Sequence, residues 1–476
     1  MLNKGAAARR FIEAVESAMT RDITDSIPIS SRDELIAYLE QGAKEPTQFR
    51  IGTEHEKIPF YRTGHRPVPY EGSFGQGGIA NLLQGMQKEL GFAPVTDRSR
   101  IIGLYDPASG AGISLEPGGQ FELSGAPVET IHQTEAELDA HFAALKRVAG
   151  PLGIDFLALG MSPKWRREET PLMPKQRYAI MVRHMSKVGT LGLDMMLRTC
   201  TVQANFDFSS EADMVKKFRV SLALQPIATA LFANSPFTDG KLNGFLSMRS
   251  EIWRHTDPAR TGMLPFVFEP GMCFERYVDY AMSVPMYFVK RGDTYHDVAG
   301  ADFRKFLQDG LSELPGVRAT LADWVNHLTT IFPEVRLKNY LEMRGVDAGP
   351  RPFLLALPAL FTGLLYDPSA LDASWDIVKG WSARAREQLR ADAPRLGLAA
   401  MVEGRPAKEV ARQILDVSRL GLAKRNRVNA QGRDESSYLA PLYKVLEETN
   451  EAERLIGKFK AEWMGDIERA FEECVY

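Results

Sequence analysis

Four short segments of this sequence set polar side chains two residues apart. "Gly-Thr-Glu-His-Glu-Lys" carries Glu54 and Glu56, and "Ser-Leu-Glu-Pro-Gly-Gly-Gln-Phe-Glu" carries Glu116, Gln120 and Glu122. "Val-Gln-Ala-Asn-Phe" carries Gln203 and Asn205, and "Leu-Glu-Met-Arg" carries Glu342 and Arg344. In a β-strand, residues i and i+2 stand on one face, roughly 6.5–7 Å apart, while those between them face the other way. Taken alone, Glu54 and Glu56 read as a solvated strand face, because like charges side by side repel. Four strands with the same alternation read differently. Five carboxylates, three amides and one guanidinium describe a polar-lined sheet built for metal and phosphate. Hard cations such as Mg²⁺ take oxygen ligands, and paired ions serve phosphoryl chemistry. The planar fork of arginine bonds two oxygens of a carboxylate or phosphate at once. Further cations stand ready: Arg177 in "Pro-Lys-Gln-Arg-Tyr", and Arg249 and Arg254 in "Met-Arg-Ser-Glu-Ile-Trp-Arg".

The elements that must carry these residues follow from patterning. Ser30 or Ser31, acidic Asp33 and Glu34 in the first turn, and Gly42 at the end predict a helix over 30–42. Strands are expected at 47–58, 100–106, 111–125 (broken by Pro117-Gly118-Gly119), 154–162, 197–208 and 337–347. Helices are expected over 128–150 and, capped by Ser209 or Ser210, from 211 to about 232. After about residue 355 the pattern is mostly amphipathic helix. No repeat, low-complexity linker or compositional break divides the chain. The expected fold is α+β with a mostly antiparallel sheet. The expected organisation is an N-terminal helical extension over 1–29 and a single catalytic unit over 30–476. That unit has its sheet-bearing core at about 45–366 and a helical part at about 367–476.

Composition narrows the function class. A net charge of −3 on 476 residues argues against a general nucleic-acid binder. Three widely spaced cysteines and no Cys-x-x-Cys exclude a zinc ribbon or disulfide scaffold and favour a reducing, cytosolic setting. No window approaches 18 consecutive apolar residues, so no membrane association is expected. The glycine-rich "Tyr-Glu-Gly-Ser-Phe-Gly-Gln-Gly-Gly" at 70–78 lacks the spacing of a P-loop or dinucleotide fingerprint and reads as a mobile loop before a helix.

The segments together resemble plant-type glutamate–cysteine ligases. The likeness rests on "TEHEK", "ISLEPGGQFELSGAP", "LMPKQRY", "DPARTGMLPFVF" and "IFPEVRLKNYLEMRGVDAGP", and runs from about residue 30 to the C-terminus. It implies the curved, mostly antiparallel sheet of the glutamine synthetase-like carboxylate–amine ligases, with substrates and Mg²⁺ on the concave face. It implies ATP-dependent joining of L-glutamate and L-cysteine by a cytosolic, bacterial monomer or homodimer. Metal ligation would fall to Glu54, Glu56, Glu116, Glu122 and Glu342, and the transferring phosphoryl group to Arg344. Gln203 and Asn205 would face the nucleotide and its ions, Gln203 standing where bacterial relatives can carry a ligating histidine. Arg249, with Arg177 and Arg254, would hold the glutamate carboxylate. Glu135 and Glu313 stand where the plant enzymes carry cysteines, so their disulfide switch is not expected here.

Overall fold

The computed structural model describes residues 27–73 and 75–476. The expected helix within 1–29 therefore lies outside the described residues, apart from 27–29. There Ile29 is buried and its N–H donates to the carbonyl of Ala319. The first half of the chain forms α1 (Arg32–Glu40), β1 (Ile51–Tyr61), β2 (Arg66–Pro67), α2 (Ile79–Leu90), β3 (Ala93–Asp97) and β4 (Arg100–Tyr105). It continues through β5 (Gly112–Leu115), β6 (Phe121–Ser124), α3 (Ile131–Ala149) and β7 (Ile154–Leu157). Next come α4 (Gln176–Met185), α5 (Gly192–Arg198), β8 (Val202–Phe206), α6 (Glu211–Phe232) and α7 (Met248–Arg254). The elements that complete the site are β9 (Val335–Leu337), β10 (Leu341–Met343), α8 (Arg351–Leu365), α9 (Ala383–Leu396) and α10 (Ala407–Arg425).

Ten strands make one sheet in the order β9-β10-β8-β1-β6-β5-β4-β3, with β2 and β7 also paired to β1, and every pairing antiparallel. The α+β class and the antiparallel sheet are as expected. The expected strand at 197–208 is cut back to 202–206 because residues 192–198 form α5. The expected strand at 337–347 resolves into a hairpin, β9 and β10, whose first arm the alternation did not reveal. Ser210 caps α6, its hydroxyl accepting the Asp213 N–H.

Alternation decides which side of the sheet is core. Val202, Ala204, Phe206, Val335, Leu337, Leu341 and Met343 are fully buried and pack with Leu224, Ile227, Leu354 and Leu357 of α6 and α8. At the other end, Leu104, Ile113, Leu115, Phe121 and Leu123 pack with Leu82, Leu83, Met86 and Leu145 of α2 and α3. At about 1.5–3 kcal/mol per fully buried aliphatic or aromatic side chain, this two-ended layer fixes the register, since a one-residue slip would expose all of it. The residues between face away from the helices. No single helix among the described residues is long and apolar enough to cross a membrane. Glu135 pairs with Arg351 at 3.2 Å and takes a hydrogen bond from Tyr438 at 2.6 Å, so it ties α3 to α8.

Candidate active site

Residues directly opposite one another in antiparallel strands share a face. The register therefore lays three polar rows across the side of the sheet turned from the helices. Ser114, Glu122 and Glu56 form one; Ser124, Glu54 and Gln203 the next; Gly52, Asn205, Glu342 and Arg336 the third. Glu54, Glu56, Glu122, Gln203, Asn205 and Glu342 thus meet on one face, as the alternation predicts. Glu116 enters from the β5–β6 turn. Gly119 there has φ +87°, and a Cβ on Gly118 would fall 2.1 Å from the carbonyl oxygen of Leu197, so the Pro-Gly-Gly corner has no room for other side chains.

The acid end of this face is short of positive charge. Asn205 Nδ2 donates to Glu54 Oε1 at 2.8 Å, the Thr201 N–H donates to Glu56 Oε2 at 3.0 Å, and the Ser114 hydroxyl donates to Glu122. Glu54 and Glu122 are close enough to share a hydrogen bond. Burial pushes the Glu54 carboxyl up to about 7 and that of Glu56 well above the carboxylate range, and neighbouring carboxylates add to both. Burial and Glu116 raise Glu122. Burial also raises Glu116, against the pull of Lys175, Arg177 and Arg344. Four carboxyls that resist ionisation because they are dry and mutually repelling, with an all-oxygen donor set, fit a hard divalent cation.

The opposite end is rich in positive charge. Glu342 is wholly buried, yet Arg336, Lys338 and Arg344 overcome the burial and hold its carboxyl far below the usual range. Arg336 grips it with two bonds, Nε to Oε2 at 2.6 Å and Nη2 to Oε1 at 2.9 Å. Arg344 Nη1 reaches Glu342 Oε1 at 2.8 Å and also Gln203 Oε1. Oε1 thus accepts two bonds and Oε2 one, so lone-pair capacity for a cation is left on Oε2.

Arg249 lies beside this end, buried on α7. Ser247 caps that helix and donates to Asp347 Oδ1 at 2.7 Å, while Ser235 donates to Asp347 Oδ2 and accepts the Arg249 N–H. Arg249 Nη2 then donates to the Arg344 carbonyl at 2.9 Å. Arg177 lies over Tyr178 and Phe288 and acts on Glu116 through its charge. Arg254 stands apart from Arg249. It pairs with Glu251 at 2.7 Å and does not line the cleft where Arg249 and Arg344 meet, because five helical residues turn it about 140° from Arg249. The glycine-rich segment leads into α2. It bonds to itself and to the start of α2, Gln76 N–H to Ser73 O and Gly78 N–H to Asn81 Oδ1.

The model of Glutamate-cysteine ligase family 2 matches residues 50–473. This chain belongs to that family. It is 52% identical over 447 residues to the chloroplastic glutamate–cysteine ligase of Arabidopsis thaliana, spanning 94% of this chain and 83% of that protein. Against the chloroplastic enzyme of Brassica juncea the identity is 49%, over 100% of this chain and 90% of the relative. Its fold matches a solved glutamate–cysteine ligase of Francisella tularensis in complex with AMP, with TM-score 0.50, 12% identity and 89% and 88% of the two chains covered.

Within this family framework, sequence reasoning missed Arg336 and Lys338. Both precede the segment "Tyr-Leu-Glu-Met-Arg" and belong to a strand and turn too short to show alternation. The signal was present in one form only, since Arg336 and Lys338 are themselves at i, i+2. Lys338 is half-buried, and desolvation lowers its ammonium to about 8 despite Glu342. His55, which draws the eye between two glutamates, points to the back of the sheet. There it lies 3.1 Å from Lys57 Nζ and edge-on to His141.

Proposed function

We propose that this chain joins the γ-carboxyl of L-glutamate to the amine of L-cysteine at the expense of ATP. The products are γ-glutamylcysteine, ADP and phosphate, the first step of glutathione synthesis. The γ-carboxylate attacks the terminal phosphorus of ATP and ADP leaves. The cysteine nitrogen then attacks the carbonyl carbon of the γ-glutamyl phosphate, phosphate leaves and the nitrogen loses a proton.

The observation that carries this reading is the single sheet face on which four desolvated carboxylates end against Arg344. Phosphoryl transfer asks a protein mainly for positioning and for neutralising charge. Glu54, Glu56, Glu116, Glu122 and Glu342 would hold Mg²⁺, which when bound neutralises and orients phosphate oxygens. Arg344, aimed by Glu342 and Gln203, stabilises charge on the transferring phosphoryl group. Asn205 keeps Glu54 in place. Arg249 receives a carboxylate of the amino-acid substrate, and Arg177 offsets the negative charge around Glu116. A cytosolic setting accords with three unpaired thiols, Cys200, Cys273 and Cys474.

The test is ATP-dependent phosphate release with L-glutamate and a panel of amines. Release with L-cysteine well above ammonia, alanine or water is expected. Preference for another amine would reassign the acceptor, and no release with any amine would remove the ligase reading.

A further inference from the structure

Helix α6 packs behind the sheet, and from Leu222 to Phe232 it is apolar except at two positions. Gln225 and Thr229 interrupt that run and are 0% and 5% exposed. Four residues apart, they stand one turn above the other on one face of the helix. Both reach the same residue. Gln225 Oε1 accepts the Gly345 N–H at 2.9 Å, and the Thr229 hydroxyl donates to the Gly345 carbonyl at 2.9 Å. A Cβ on Gly345 would fall 2.5 Å from Gln225 Oε1, so the close approach of peptide and amide depends on glycine there.

Gly345 follows Arg344 directly. Met343 of β10 packs on the helix side of the sheet, so alternation turns Arg344 to the site face and Gly345 back toward α6. The Arg344 backbone is held too: its N–H donates to the Glu334 carbonyl at 3.1 Å, and its carbonyl accepts Arg249 Nη2 at 2.9 Å. All four backbone polar groups of residues 344–345 therefore have partners, and α6 supplies two of them. Gln225 is a costly way to fill space in a helix core. Its Nε2 has no hydrogen-bond partner, and a buried donor left unpaired costs about 1–3 kcal/mol. What the amide supplies in return is an acceptor at the residue after Arg344.

We propose that Gln225 and Thr229 are positioning residues for the ligation. By fixing the Gly345 peptide from behind the sheet, they set where the Arg344 guanidinium meets the transferring phosphoryl group. Both act from the core side, through Arg344. The proposal rests on the ligase reading above. A displacement of about 1 Å in a group that must meet the reacting atoms costs roughly 10²-fold in rate, so a pair of bonds in the core can govern kcat.

The test is a double-mutant cycle on the full-length protein. Gln225→Met keeps the volume and removes the acceptor. It should lower kcat for phosphate release by roughly 10–100-fold and leave the KM for L-cysteine within about twofold. In an Arg344→Lys background the same change should cost less than about threefold, because the guanidinium it aims is gone. An unchanged kcat, or an equal loss in both backgrounds, would overturn the proposal. Thr229→Val should lower kcat in the same way, and Thr229→Ser, which keeps the hydroxyl, should restore it to within about twofold of the wild type. If Gln225→Met does not melt cooperatively, the Thr229 pair carries the comparison, and equal kcat in Thr229→Val and Thr229→Ser would overturn it. Calorimetric Kd values without L-glutamate give a second readout. Gln225→Met should weaken Mg²⁺–ATP by at least roughly fivefold and Mg²⁺–ADP by less than about twofold, since Arg344 serves the terminal phosphoryl group. Equal weakening of both nucleotides, or of neither, would count against the assignment. A wild type that releases no phosphate with any amine would defeat the ligase reading instead, and the nucleotide comparison would still decide whether Gln225 acts through Arg344.

Discussion

Two ends of one sheet face carry the same residue type at the same depth and treat it in opposite ways. At the acid end, Glu54, Glu56 and Glu122 are surrounded by one another and resist giving up protons. At the basic end, Glu342 sits among Arg336, Lys338 and Arg344 and gives up its proton far more readily than a free glutamate. Burial is common to both, so neighbouring charge alone sets the difference. At the acid end carboxyls face one another, whereas at the basic end cations surround one carboxylate and an arginine is held in position. The proposed phosphoryl transfer would use both: oxygens that can take Mg²⁺, and a fixed guanidinium.

Removing Glu342 should be the harshest way to break that comparison. Glu342→Gln leaves Arg336, Lys338 and Arg344 buried together without their anion. Breaking a buried pair on one side costs about 3–5 kcal/mol, so the melting temperature should fall clearly and kcat should drop by roughly 10²–10³. Unchanged stability would show that the three cations are not held by Glu342. Glu56→Gln should cost a similar roughly 10²–10³ in kcat at saturating Mg²⁺ but no stability. At pH 8 without metal this variant should melt at or above the wild-type temperature, because it removes a repelled charge; a lower melt would contradict the account of the acid end.

The pH dependence of stability should expose the acid end directly. The folded-state pKa of Glu54 is raised from 4.5 to about 7, so the folded state binds more protons than the unfolded chain between these values. The stabilising contribution is complete below about 4.5 and is lost as pH rises through 7. Metal-free protein should therefore lose melting temperature across that window, and Mg²⁺ should restore it by binding only the folded state. A melt that rises over pH 5–7 without metal would reverse the sign of the argument. The smallest effect is expected at Arg254. Arg254→Ala should leave the KM for L-glutamate within about twofold, since Arg254 is engaged with Glu251 outside the cleft. A tenfold rise would bring it back into the substrate site.

The positions that could be read in advance share a physical basis. Strand alternation has a period of two, so Glu54, Glu56, Gln203 and Asn205 declared their common face without coordinates. The helix over 211–232 was legible from its cap and apolar length. Arg336 was not, because β9 is three residues long and its partner Glu342 is reached only through a hairpin. Grouping basic residues by proximity along the chain put Arg254 with Arg249, where the helical turn sets them apart.

Local chemistry determined which side chains share a face, which glycines must turn the chain and that the face carries oxygen donors. Those properties depend on backbone geometry that repeats over two to four residues. The charge state of each carboxyl and the grip of Arg336 on Glu342 were decided by tertiary structure alone. They depend on distances between segments up to 288 positions apart, such as Glu54 and Glu342, whose charges act on each other across the sheet. Electrostatic energy follows separation in space, and separation along the chain does not report it.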